Sequence, residues 1–226
     1  MKLARPDIRH PRIVLAGQVA ERGDDDGLVA ALRSRGLHAR WMSWDDPDTL
    51  RADLVILRAG TDYQDRLDEF LTWTKRVPNL LNAPDVVAWN ADKHYLRDLA
   101  RAGVPTRAAA PADTTALVFL GGAQSHAFTI GSPVESDFEI WDLGYSTLAT
   151  AADHVGISAS DLLYARVDVT GEPGDAHLVS LDLVAPTLGW HVLDEDVRAD
   201  AQRQFALCVE SALERLELGP LSHRRP

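Results

Sequence analysis

The chain has a single cysteine, Cys208, in 226 residues. No intramolecular disulfide can form, and a reducing, cytoplasmic setting is expected. Cys208 lies in a helix-like run with no base beside it, and reads as a small buried hydrophobe rather than a reactive thiol. Apolar runs long enough to span a membrane are also missing, and the charged start MKLARPDIRHPR has no apolar signal core, so secretion is not expected. Basic residues are in deficit: 23 Lys and Arg against 34 Asp and Glu leave a net charge of -11. That balance argues against a chain built to neutralise phosphate backbones, and neither a nucleic acid nor a membrane is expected as partner. There is no GxxxxGK[ST], no GxGxxG after the first strand, no GxSxG and no HExxH. Ser125 precedes His126, but neighbours on a strand point to opposite faces, so the two are not expected to work as a nucleophile and its base.

Periodic hydrophobic segments fill the rest. RIVLAG, HARWMSW, ADLVILRAG and PNLLNAP read as strands alternating with helices that begin near Leu28 and Gln64, and the segment NADKHYLRDLARAG reads as a third, capped helix. One of Asp24, Asp25 and Asp26 is expected to cap the first helix. This order predicts a parallel sheet covered by helices. Beyond it, ALVFLGG and SHAFTIG form a hairpin across Gly121 and Gly122, YSTLATAADHVG is helical, and LLYARVDVT pairs with HLVSLDLVAP. A closing amphipathic helix turns Val197, Ala201, Phe205, Cys208, Val209, Ala212, Leu213 and Leu216 inward. The expected fold is α/β: an N-terminal domain over residues 1–106, with a parallel sheet flanked by helices, joined to an α+β lobe with antiparallel hairpins over 107–226.

Three groups of residues could carry chemistry. Arg166 and Asp168 share one strand face, and Ser180 and Asp182 share a face of the partner strand; such a surface can hold an anion and a hard cation, or can simply pair charges across a wet sheet. Trp89, Asn90, Asp92 and Lys93 stand at a helix start, where they can cap it or bring Lys93 to a phosphate. Arg58 ends a buried strand, at the edge where parallel sheets bind ligands, and can hold a carboxylate or phosphate, or form a salt bridge to Asp62 or a neighbouring loop.

Taken in order, WDD (44–46), DLVILRAGTDY (53–63), LLNAPDVVAWNADKHYLRDLARAGVPT (80–106), LVFLGGAQSHA (117–127), YARVDV (164–169) and LDLVAPTL (181–188) resemble the ATP-grasp superfamily, especially carboxylate-amine ligases of the glutathione synthetase and D-alanine ligase type. The resemblance implies an acyl-phosphate ligase, with Lys93 and Arg166 near the ATP phosphates and Asp168 and Asp182 as magnesium ligands. It also implies a middle lobe between Val104 and Ala116, where PTRAAAPADTT offers no lysine; Ser180 and Ala185 stand where acidic residues are usual, and Thr115 where a charge is usual. The expectation is therefore a degenerate, truncated member without the middle lobe, a pseudoenzyme that binds a small anionic metabolite, amino acid or peptide without ATP-dependent ligation. Arg58, Asp62, Trp89 and Asn90 would contact that ligand, and Arg166 and Asp168 would act on it. No cofactor is expected in that case. The alternative is an ATP-grasp-derived enzyme of small-molecule biosynthesis using Mg2+ and ATP: a ligase completed by a partner chain, or a repurposed transferase or hydrolase. A homo-oligomer or a catalytic partner protein fits either reading.

Overall fold

The computed structural model describes residues 10–17, 23–58, 62–107 and 114–219. The first sheet is parallel throughout, with β1 (Ile13–Ala16), β2 (Ala39–Met42), β3 (Leu54–Leu57) and β4 (Leu80–Leu81) in the spatial order β2-β1-β3-β4. Both IVLA and LVIL are buried at every position, as strands covered on both faces must be. One face meets α1 (Leu28–Ser34); the other packs Val14, Val55 and Leu57 on Trp44, Phe70 and Trp73, the last two from α2 (Leu67–Thr74).

The helix expected after Trp89 is in fact two. Proline at its first turn starts α3 (Pro84–Ala91), and α4 (Tyr95–Arg101) follows a turn in which the Asp92 carboxylate accepts a 3.0 Å bond from the His94 amide. Asn90 is thus a residue inside α3 and caps nothing. The expected carboxylate cap on α1 is likewise absent: Gly27 takes the N-cap position with no side-chain bond.

The second sheet is antiparallel, in the order β7-β6-β5-β8-β9: β5 (Thr115–Leu120), β6 (Ala123–Thr129), β7 (Ser132–Val134), β8 (Tyr164–Thr170) and β9 (His177–Asp182). Gly121 and Gly122 join β5 to β6 with φ of 59° and 76°, the doubly left-handed turn that two-residue hairpins favour. A Cβ on Gly122 would also lie 2.7 Å from the Ala159 carbonyl oxygen, so glycine is required there twice over. The face bearing Leu117, Phe119, Ala165 and Val167 packs on α5 (Phe138–Val155).

On the opposite face, Ala116, Val118, Leu120 and Tyr164 share a core with β1, β3, α1 and α6 (Glu195–Arg215). One core therefore joins the two sheets. Ala201, Phe205, Val209, Ala212 and Leu213 of α6 are buried as expected; Val197 and Leu216 are exposed because they overhang that core at the helix ends. Of the sequence join between the halves, Val104 to Ala116, residues 108–113 lie outside the described residues. Among the described residues no helix is long and apolar enough to cross a membrane.

Candidate functional site

Directly opposed residues of an antiparallel sheet share a face. One such row runs Asp182, Arg166, Val118, His126 across β9, β8, β5 and β6, and the next begins Ser180, Asp168, Ala116. The apolar part of this face is covered by the shared core. Its polar corner remains open and forms one side of a cleft of about 530 Å3, to which the first half of the chain contributes Tyr63, Gln64, Asn90, Lys93 and Tyr95.

Within the cleft Arg166 Nε donates to Asp168 Oδ1 at 2.8 Å, its guanidinium lies 5.2 Å from the Phe128 ring centroid, and Ser180 Oγ donates to Asp168 Oδ2 at 2.7 Å. Among the described residues, the row neighbour Asp182 has no such cationic partner within bonding distance. Burial raises its pKa above 3.8, opposed by the Val184 and Ala185 amides and by the charges of Arg166 and Arg58. Tyr63 and Tyr95 are also shifted upward, first by burial and then by the Asp182 charge. Two cations, two carboxylates and several hydroxyls thus meet at one opening, a donor set suited to an anion and a hard cation together.

Of the residues expected to form the site, Lys93, Asn90, Arg166, Asp168 and Asp182 line this cleft. Asn90 does so with its amide already engaged: Nδ2 donates to Leu181 O at 2.9 Å and Oδ1 accepts from Leu183 N at 2.7 Å, fastening α3 to the end of β9. Arg58 is elsewhere. It is fully buried, donates to both Asp25 oxygens at 3.0 and 2.9 Å and to Pro186 O at 2.9 Å, and stacks over Tyr164. Of the ion-pair partners expected for it, Asp62 or a neighbouring loop, the loop before α1 supplies one in Asp25, and the Asp62 side chain lies outside the described residues. Trp89 also faces away from the cleft, stacking on His154 and donating to Asp98 at 3.3 Å. The expected pocket joining Arg58, Trp89 and Arg166 is therefore not formed. Among the described residues no group of three or more His, Cys, Asp or Glu could hold a metal unaided.

Sequence reasoning missed how the segment after β9 is held. The carbonyls of Pro186, Thr187 and Leu188 accept in succession from Arg58 Nη2 (2.9 Å), Arg166 Nη1 (3.4 Å) and His126 Nε2 (2.7 Å). The next residue, Gly189, has φ 69°, and a Cβ there would lie 2.5 Å from the Phe128 ring. The apolar spelling LVAPTLG gives no hint of three polar attachments; only its proline and glycine mark it as non-strand.

The family described as D-cycloserine synthetase DcsG, N-terminal domain, matches residues 12–82. Over 83 residues the chain is 36% identical to the cycloserine biosynthesis protein DcsG of Streptomyces lavendulae, a match spanning 34% of this chain and 28% of that relative, well under two thirds of its length. Among solved structures, D-cycloserine synthetase DcsG superposes with a TM-score of 0.75 at 21% identity, covering 91% of this chain and 99% of that one. The ATP-grasp ligase PsnB, complexed with a phosphomimetic variant of minimal precursor, Mg and ADP, gives a TM-score of 0.59 at 13% identity over 92% of this chain and 99% of that one. For the macrocyclase MdnB from Microcystis aeruginosa MRC the values are 0.60, 12%, 86% and 97%. The chain has the fold of the ATP-grasp ligases.

This ATP-grasp likeness corrects the expectation of a degenerate, truncated protein lacking a middle lobe: the correspondence with DcsG runs over 91% of this chain and 99% of that one, and gives no positive sign of a lost lobe. The pseudoenzyme reading, with neither ligation nor cofactor, rested on that loss. It falls with it, since the similar proteins are a synthetase and ligases, one of them complexed with Mg and ADP.

Proposed function

We propose that this protein is an ATP- and Mg2+-dependent ligase that joins a small carboxylate substrate, an amino acid or peptide, to an amine in cytoplasmic small-molecule biosynthesis. The observation that carries the reading is the convergence of Lys93, Arg166, Asp168, Ser180 and Asp182 on one cleft between the two halves of the chain. The residues fit the cofactor chemically. Asp182 is a carboxylate whose ionised form is under-compensated, the condition a bound cation relieves, and phosphate and water oxygens complete the coordination that two carboxylates begin.

ATP, when bound with magnesium, supplies the phosphoryl group that makes a carboxylate reactive toward an amine. Arg166 and Lys93 neutralise phosphate oxygens. Asp168 and Asp182 hold the cation, with the Ser180 hydroxyl fixing the Asp168 carboxylate. Tyr63 and Tyr95 form walls that displace water from the reacting groups. Calorimetry with Mg-ATP tests this without knowledge of the substrate. Specific binding is expected, weakened about 10- to 100-fold by Arg166→Ala, the range for losing one charged hydrogen bond. No heat of binding for the folded wild-type protein at millimolar Mg-ATP would overturn the reading.

A further inference from the structure

A second cavity, of about 560 Å3, opens at the β6 end of the same sheet row, between β6, β7 and the start of α6. Ser125 and His126 line it, and the expectation that they point apart does not hold. The pairing of β6 with β5 slips there: Val118 opposes His126 and the next residue, Phe119, opposes Gln124, so Ser125 is the unpaired residue of a β-bulge. A bulge re-aims its extra side chain. Ser125 Oγ consequently lies 3.0 Å from His126 Nδ1.

The protonation pattern of this pair follows from its contacts. His126 Nε2 is 2.7 Å from the Leu188 carbonyl oxygen, which can only accept, so Nε2 carries a proton. Burial lowers the His126 pKa and favours the neutral ring, against the Leu188 bond and the Asp24 charge, and a neutral ring with a proton on Nε2 leaves Nδ1 as a lone-pair acceptor for the Ser125 hydroxyl. Phe128 and Trp190 hold the ring at centroid distances of 6.3 and 5.5 Å. A hydroxyl, a base and a third group orienting the base are the parts of an activated serine, here facing open space.

We propose that Ser125 is an acyl-accepting nucleophile with His126 as its general base, acting on small esters or thioesters independently of nucleotide. Ser125 Oγ bonds to the acyl carbon as Nδ1 takes its proton; the bond to the leaving alcohol or thiol breaks, and the leaving group takes that proton from Nδ1. Water then adds to the acyl carbon, giving one proton to Nδ1; Ser125 recovers it and the carboxylic acid departs. Val134, Trp141 and Val197 offer an apolar wall, and Glu135 and Asp194 bring negative charge, so the cavity favours neutral or cationic acyl groups over anionic ones.

The test uses the whole protein with p-nitrophenyl acetate and a fluorophosphonate probe, without ATP. The expected result is one phosphonate adduct, mapped by mass spectrometry to Ser125, with p-nitrophenolate release reduced at least about 100-fold in Ser125→Ala and His126→Gln, the lower range of general-base assistance. Ser125→Ala removes one half-buried hydroxyl and should melt as the wild type does. No adduct at Ser125, or an unchanged esterase rate in folded Ser125→Ala, overturns the proposal. Either outcome leaves Mg-ATP binding at the Arg166 cleft untouched.

Discussion

Two arginine–aspartate pairs flank the loop after β9, and they behave oppositely. Arg58 and Asp25 form a buried bidentate pair, with side chains 1% and 7% exposed, and Asp25 also accepts from Trp190 Nε1 at 2.9 Å. Arg166 and Asp168 share one 2.8 Å contact at the cleft and keep 27% and 16% exposure. The first pair joins the β3 end to both the second sheet's loop and the segment before α1. The second leaves guanidinium donors facing solvent, where a ligand can reach them. An arginine at a strand end is therefore informative about ligand binding only once its other donors are accounted for.

The sharpest way to separate the pairs is to remove one partner from each. Asp25→Ala leaves the Arg58 charge buried without its counter-ion and should cost about 3–5 kcal/mol in denaturant unfolding. Asp168→Ala should cost no more than about 1 kcal/mol, since water can replace it beside Arg166. If Asp168→Ala proved the more damaging, the division into structural and ligand-facing pairs would be reversed.

Arg166→Ala applies the same contrast to binding: the Mg-ATP affinity should fall by about 10- to 100-fold, while unfolding shifts by under about 1 kcal/mol. Asn90→Ala should do the converse. It strips the buried Leu181 carbonyl and Leu183 amide of their partners, for about 1–3 kcal/mol, without removing a charge from the cleft. An Asn90→Ala protein of unchanged melting temperature would show that water satisfies those groups and that α3 is not fastened to β9 through them.

What the sequence made legible follows the same line between local and distant contacts. Unbroken apolar runs marked β1 and β3, and the alternation in YARVDV and LVSLD placed Arg166, Asp168, Ser180 and Asp182 on one face before any contact was known. The Asp25 partner of Arg58 is 33 residues away and the Pro186 partner 128, separations with no periodic signature. The bulge at Ser125 carries no glycine or proline to announce it, so strict alternation misplaced that side chain. The strand SPV of β7 was missed because three residues with a central proline show no period.

The smallest effect expected is also the one that most finely distinguishes the cleft from the buried pair. Asp182 has a raised pKa in the folded protein, so its ionised form is less favourable there than in the unfolded chain. Below the ordinary carboxylate value of 3.8 both states hold the proton and the penalty is absent. It grows as pH rises through the folded value and is constant above it. Asp182→Asn keeps an oxygen for the Val184 amide and removes the charge, so at neutral pH the variant should unfold later than wild type, and this advantage should vanish as the pH falls below the carboxylate range. Millimolar Mg2+ should narrow the gap by stabilising the wild type alone. A variant less stable than wild type at pH 7 without Mg2+ would mean that Asp182 is already compensated by the protein, as Asp25 is, and has no unmet charge to offer a cation.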